Sequence, residues 1–258
     1  MMKSDVAVRN KLRYMAGLAA ILILAGGAKV QAKDAAAETC GSVFGAKVCT
    51  SYRTHAGKVT EFSMNVPIAL LDQAPASAPM VWPPKPDLVV PLADAVKDKT
   101  GFVFTNIYWN PMGHPPAAYM TPHFDFHFYF VPEDRVQGFD CKDTTKPATL
   151  PAGYALPDVD VPGMGTLIGI CVPEMGMHAI PAGDLTPKEP WTSSLMVGYY
   201  GGKPIFIEPM ITKALLMEKH SFSLPIPEIE PTPNVRYPKR FDAIYHPENE
   251  AYDFTFSY

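Results

Sequence analysis

The feature that most restricts this chain is a 24-residue stretch, Trp109 to Pro132 (WNPMGHPPAAYMTPHFDFHFYFVP). Its second half alternates without interruption. In an extended strand successive side chains point to opposite sides. Phe124, Phe126, Phe128 and Phe130 therefore share one face, and His123, Asp125, His127 and Tyr129 share the other. A helix would scatter both sets around its axis. The pattern requires a β-strand with a wholly apolar face and a face of groups that titrate or ligate metal.

Spacing limits what that second face can hold. Strand residues two apart lie about 6.6–6.8 Å from each other, and those four apart about 13 Å. A histidine nitrogen binds a transition metal at about 2.0–2.1 Å. His123 and His127 thus hardly reach one ion from a straight strand, although a bulge would relax the limit. Either histidine can share an ion with Asp125, or Asp125 can orient a histidine from behind. Further donors must come from elsewhere. The candidates are His178 in PEMGMHAIP, Glu208 at the end of IFIE, His114 in NPMGHPP, and Glu174. A carboxylate closing an apolar strand is costly to bury unpaired, which singles out Glu208. Histidines with one or two carboxylates suit zinc, iron, manganese or nickel.

Two other readings compete. Alternating polar and aromatic residues also describe an ordinary sheet with one wet face, whose histidines form a hydrogen-bonded network or an oligomer contact. Met112, Met120, Met175 and Met177 flank His114 and His178, a soft set that would favour Cu(I), although methionine also fills gaps between irregular loops. His55, His220 and His246 lack evident partners and are expected at the surface. The chain has no G-x-S-x-G, H-E-x-x-H, phosphate-binding glycine loop or dinucleotide fingerprint. No catalytic residue is assigned.

The amino terminus has the pattern of a secretory signal peptide: basic residues Lys3, Arg9, Lys11 and Arg13, an apolar run Met15–Ala28, and Val30-Gln31-Ala32 as a small-residue cleavage site. The run is 14 residues, shorter than the roughly 20 that span a bilayer, so an uncleaved anchor is the lesser alternative. The expected location is secreted or periplasmic, with no stable membrane insertion after cleavage. Residues 1–32 hold five of the 22 basic and one of the 26 acidic residues, which leaves the remainder at −8. That balance argues against nucleic acid as a partner. Small molecules, metal ions and further copies of the chain are not excluded by charge.

Cys40, Cys49, Cys141 and Cys171 form an even set, which in an exported chain favours disulfides. Cys40 and Cys49 flank GSVFGAKV, a candidate hairpin, so they are the expected pair, and Cys141–Cys171 follows by elimination. Proline is 28 of 258 residues, roughly twice the usual ~5%, which favours short strands and ordered loops. Strands are expected over 46–52, 58–66, 101–110, 166–172, 194–200, 204–208 and 252–258, and helices over 91–99 and 211–220. Gly201-Gly202 marks a hairpin. The proline-rich run 73–88 should lie on the surface, anchored by Met80, Val81 and Trp82. The fold expected is a single antiparallel β-sandwich or open barrel with one or two short helices over residues 33–258.

Three segments together, WNPMGHPPAAYMTPHFDFHFYFVPEDR, VPEMGMHAIP and VGYYGGKPIFIEPMITKALL, resemble an uncharacterised family of exported bacterial proteins of unknown function. In it a Gly-His-Pro loop precedes a PHFDFHFY strand, and Met-Gly-x-His and FxEPMI motifs follow. The likeness covers about Gly45 to Leu216, leaving 221–258 as an extended C-terminal segment. His114, His123, Asp125, His127, His178 and Glu208 all fall inside its motifs. Met177 and Ala179 depart from it beside His178, and the resemblance implies no activity. Pooling histidine and carboxylate on strands is similar to cupins, but H-x-D-x-H departs from a cupin's H-x-H. The leading expectation is a His/Asp/Glu metal or small-molecule site. The alternatives are a non-catalytic envelope assembly or stress protein, and periplasmic copper binding.

Overall fold

The computed structural model describes residues 38–79 and 81–258. The expected signal peptide and the anchor Met80 lie outside these residues. The chain runs through β1 (Thr39–Val43), β2 (Ala46–His55), β3 (Lys58–Pro67), α1 (Ile68–Gln73), β4 (Leu88–Pro91), α2 (Asp94–Thr100), β5 (Phe104–Asn110), β6 (His123–Tyr129) and α3 (Glu133–Gln137). It continues through β7 (Tyr154–Ala155), β8 (Val159–Val161), β9 (Gly165–Leu167), β10 (Met177–Pro181), β11 (Ser193–Tyr200), β12 (Lys203–Thr212), α4 (Lys213–Met217), β13 (Phe222–Leu224), β14 (Arg240–His246) and β15 (Ala251–Ser257).

Two antiparallel sheets, ordered β1-β2-β3-β15-β14-β13 and β4-β5-β6-β12-β11-β10-β7, carry the architecture, and neither closes on itself. This is a sandwich rather than a barrel. Its interior is aromatic: Phe62 meets Phe128 at 5.8 Å, Phe126 meets Phe254 at 4.9 Å, and Phe128 meets Phe256 at 4.8 Å between ring centroids. Each fully buried phenylalanine contributes about 1.5–3 kcal/mol. The phenylalanine face of β6 is thereby fixed inward, which turns His123, Asp125 and His127 away from the interior. Those residues are nevertheless almost wholly enclosed. Loops and two small apolar clusters, one around Tyr119, Ile170 and Met210 and one around Phe104, Tyr129 and Phe206, close over them.

Both disulfides form as expected. Cys40 and Cys49 face each other across β1 and β2, and Cys141–Cys171 ties the loop after α3 to the turn before β10. Among the described residues no helix is long and apolar enough to cross a membrane.

Several local expectations are corrected. Residues 166–172 do not form a buried strand: Gly169 and Ile170 take φ of 60° and 49°, which turns the chain into a short 3₁₀ segment after β9. The helix expected over 211–220 is only α4, because Ile211 stays in register with Phe124 on β6 and Thr212 caps the helix from outside. Residues 88–91 pair with β5, so α2 begins after Pro91 rather than on it. Ile68–Gln73 adds an unexpected helix, bringing the short helices among the described residues to four. Val81 and Trp82 are exposed rather than anchoring. The connection is instead held by Trp109, whose indole donates to the Pro75 carbonyl and whose N–H donates to Asp87. The strand expected over 252–258 does form, as β15, between β3 and β14 with Tyr252, Phe254 and Phe256 buried.

Candidate metal centre

The outward row of the seven-stranded sheet is set by register. On β5 and β6, Asn110 pairs with His123, Tyr108 with Asp125 and Asn106 with His127. On the other side, Ile207 pairs with Phe128 and Met210 with Asp125, so Glu208 between them lies opposite His127. Glu208 does not end its strand, as β12 continues through Pro209 to Thr212. His178 sits on β10, not in a loop, and pairs with Gly198 of β11. The six candidates sort into two triads, His114/His123/Asp125 and His127/His178/Glu208, each with donor atoms within 4.8 Å of one another. His123 and His127 go to different triads, as the strand rise requires.

In the Asp125 triad each carboxylate oxygen meets one ring. His123 Nε2 lies 3.1 Å from Oδ1 and His114 Nε2 lies 3.4 Å from Oδ2. Asn110 Nδ2 donates to Oδ2 at 2.8 Å. Behind the rings, His123 Nδ1 contacts the Thr121 carbonyl at 2.7 Å and His114 Nδ1 the Pro115 carbonyl at 2.8 Å. A carbonyl accepts only, so both Nδ1 atoms carry the proton and both Nε2 atoms point at the carboxylate. Gly113 makes the loop possible: its φ is 69°, and a Cβ there would lie 2.1 Å from the Tyr119 oxygen. Burial pushes the Asp125 carboxyl up, but His123 and His114 outweigh it and hold it below the usual carboxylate range. Burial likewise pulls His114 down, and Asp125 more than reverses that.

The Glu208 triad is looser and drier. His127 Nε2 lies 3.6 Å from Oε1 and His178 Nε2 lies 3.9 Å from Oε2. Both separations are too long for a hydrogen bond. They approach the ~3.4 Å between ligands of a tetrahedral ion whose bonds are about 2.0–2.1 Å. His178 Nδ1 is held by the Ile170 carbonyl at 3.0 Å. Both nitrogens of His127, together with Glu208 Oε2, have no hydrogen-bond partner among the described residues. Burial pushes Glu208 well above its ordinary value, with the Asp125 charge adding to it. Burial, then the neighbouring His178, lowers His127 to about 3, and burial lowers His178 to about 4. Phe206 packs against both rings, at 4.7 Å from His127 and 5.1 Å from His178. It lies flat over Gly198, where a Cβ would come within 2.1 Å of the ring.

No family model, curated protein or solved structure matches the chain.

The remaining candidates lie elsewhere. Glu174 pairs with Lys85 on the rim of a cleft of about 380 Å³ that Asn106 and Tyr108 also line. Met112 and Met120 are exposed, Met175 is buried, and Met177 faces the sandwich interior, on the side of β10 opposite His178. His220 and His246, expected without partners, lie 3.3 Å from Glu218 and 3.2 Å from Asp253 respectively; His220 and His55 are exposed, and His246 is half-buried. Sequence reasoning missed Asn110, Asn106 and Tyr108. Their even spacing on β5 was available, but only register shows that they abut the histidines.

Proposed function

We propose that this is an exported protein, its signal peptide cleaved near Ala32, that binds a divalent transition metal through His127, His178 and Glu208. The observation that carries the reading is the set of bare donors inside the fold. His127 has both nitrogens unbonded and Glu208 one oxygen unbonded. Each orphaned buried group costs about 1–3 kcal/mol. A metal ion satisfies the triad at once, whereas a structural network would have joined these atoms to protein partners.

Two imidazoles and one carboxylate suit zinc or ferrous iron, with manganese and nickel as further candidates and copper a weaker one. Bound there, such an ion would supply Lewis-acid character to a small-molecule oxygen or to water. The chain's own contribution is to orient and enclose. The Ile170 carbonyl fixes the His178 tautomer, and Phe206, Tyr108 and Tyr129 pack around His127. The cleft beside Asn106 and Tyr108 gives the reading its small-molecule side. A histidine face serving as an oligomer contact fits less well, because loops of the same chain cover His123, Asp125 and His127.

The test is elemental analysis of the purified disulfide-bonded protein, followed by stripping and titration with Zn²⁺, Fe²⁺, Mn²⁺ and Ni²⁺ separately at neutral pH. Wild type is expected to take up metal, and Glu208→Gln, which keeps the side-chain volume, to bind at least about 100-fold more weakly at this site. Absence of bound metal together with no uptake by wild type would refute the proposal.

A further inference from the structure

The Asp125 triad has donors of its own and shares none with the Glu208 triad. We infer that His114, His123 and Asp125 form a second metal site, filled independently of the first and exchanging its ion more readily. Four observations support it. Each oxygen of one carboxylate faces a different imidazole, at 3.1 and 3.4 Å, and the two imidazoles come from separate segments, the β5–β6 loop and β6. Both Nδ1 atoms are occupied by backbone carbonyls, which leaves both Nε2 atoms as the inward donors. Such outer contacts are what orient metal-binding histidines. His123 Nε2 and Asp125 Oδ1 are buried and, despite their closeness, have no hydrogen-bond partner among the described residues. Asn110 donates to the other oxygen, Oδ2, and so steadies the carboxylate without occupying Oδ1.

Readier exchange follows from where the ligands sit. The His123 side chain is fully enclosed, but that of His114 is 36% exposed and rides on the surface loop that Gly113 shapes. An ion leaving this site has a solvent-facing ligand to release first. In the Glu208 triad the side chains are only 1%, 1% and 9% exposed.

Trp191 supplies a local reporter. Its ring lies 5.3 Å from that of His123 and 4.8 Å from that of Tyr119, and its indole donates to Ser194. A paramagnetic ion in this triad would quench it.

The experiment titrates the stripped protein with Ni²⁺, reading stoichiometry by calorimetry and tryptophan emission in parallel. Wild type is expected to bind two equivalents, one of them quenching a signal that Trp191→Phe removes without changing the count. His114→Ala should weaken one equivalent by more than about 100-fold and abolish the quench, while Glu208→Gln should keep the quenching equivalent and lose the silent one. A chelator should withdraw the quenching equivalent first. The inference is overturned if wild type binds no equivalent that quenches, if His114→Ala still quenches, or if Glu208→Gln removes both equivalents. It is equally overturned if the chelator removes the silent equivalent first. Failure of the Glu208 reading has a different signature: one equivalent that quenches and is lost in His114→Ala, unaffected by Glu208→Gln.

Discussion

The two triads use the same ligand types on one sheet face, one side-chain repeat apart, yet their metal-free states differ. Asp125 is ionised and held between two imidazoles and Asn110, whereas Glu208 is pushed toward its neutral form beside imidazoles that are themselves pushed toward neutrality. The difference is one of solvation. His114 reaches solvent on a loop, so the Asp125 triad can keep charge, while His127 and His178 are sealed under Phe206 and the segment before β10. The same ligand types thus give a site with an ionised carboxylate and a dry one.

The largest expected effect tests that contrast directly. Without metal, Asp125→Asn should destabilise the fold by about 3 kcal/mol, the lower end of what breaking a buried ion pair costs, because His114 is partly exposed. Glu208→Gln should change stability by less than about 1 kcal/mol, since one neutral group replaces another. Urea unfolding in chelator measures both, and equal losses in the two variants would erase the distinction.

Next comes pH. His127 and His178 titrate near 3 and 4 in the folded state rather than at 6.5. Below pH 6.5 the unfolded chain therefore takes up to two protons that the folded chain refuses. Glu208, raised well above 4.5, keeps one proton in the folded state that the unfolded chain releases. Near pH 5 the unfolded state thus holds about one more proton, and stability should fall with falling pH by about 1.4 kcal/mol per unit. Above pH 6.5 the histidine difference is gone, and Glu208 and His114, both raised in the folded state, act in the opposite direction, so stability falls as pH rises. The metal-free protein should be most stable near pH 6.5. Unfolding midpoints from pH 4.5 to 8 check this, and a steady rise to pH 8 would contradict it.

The smallest effect separates the triads through a disulfide. Cys171 follows Ile170, whose carbonyl holds His178. Replacing Cys141 and Cys171 by serine should weaken metal binding at the Glu208 triad by about tenfold and leave the Trp191-quenching equivalent unchanged. Equal weakening at both would show that the disulfide acts on the whole sheet.

Much of the site was legible because a strand's period of two is strict. Phe124, Phe126 and Phe128 could only be core, which put His123, Asp125 and His127 together and apart from it. The rise per residue separated His123 from His127 before any partner was known. The partners' grouping was not legible. Nothing local tells that His114 joins His123 while His178 and Glu208 join His127, since the groups are 9 to 81 residues apart in sequence. The misplaced strand at 166–172 has a local cause as well. Its apolar composition suits a strand, but Gly169 and Ile170 adopt left-handed backbone to carry Cys171 to Cys141.

Sequence by itself determined a β-rich chain with paired cysteines and one strand carrying opposed apolar and ligating faces. Local sterics and hydrophobic periodicity are enough for that. Only the tertiary structure decided that the ligating face is buried, that it divides into two triads, and that one is ionised and the other dry. Those properties depend on which loops cover which residues, and desolvation is a property of the enclosure rather than of any residue in it.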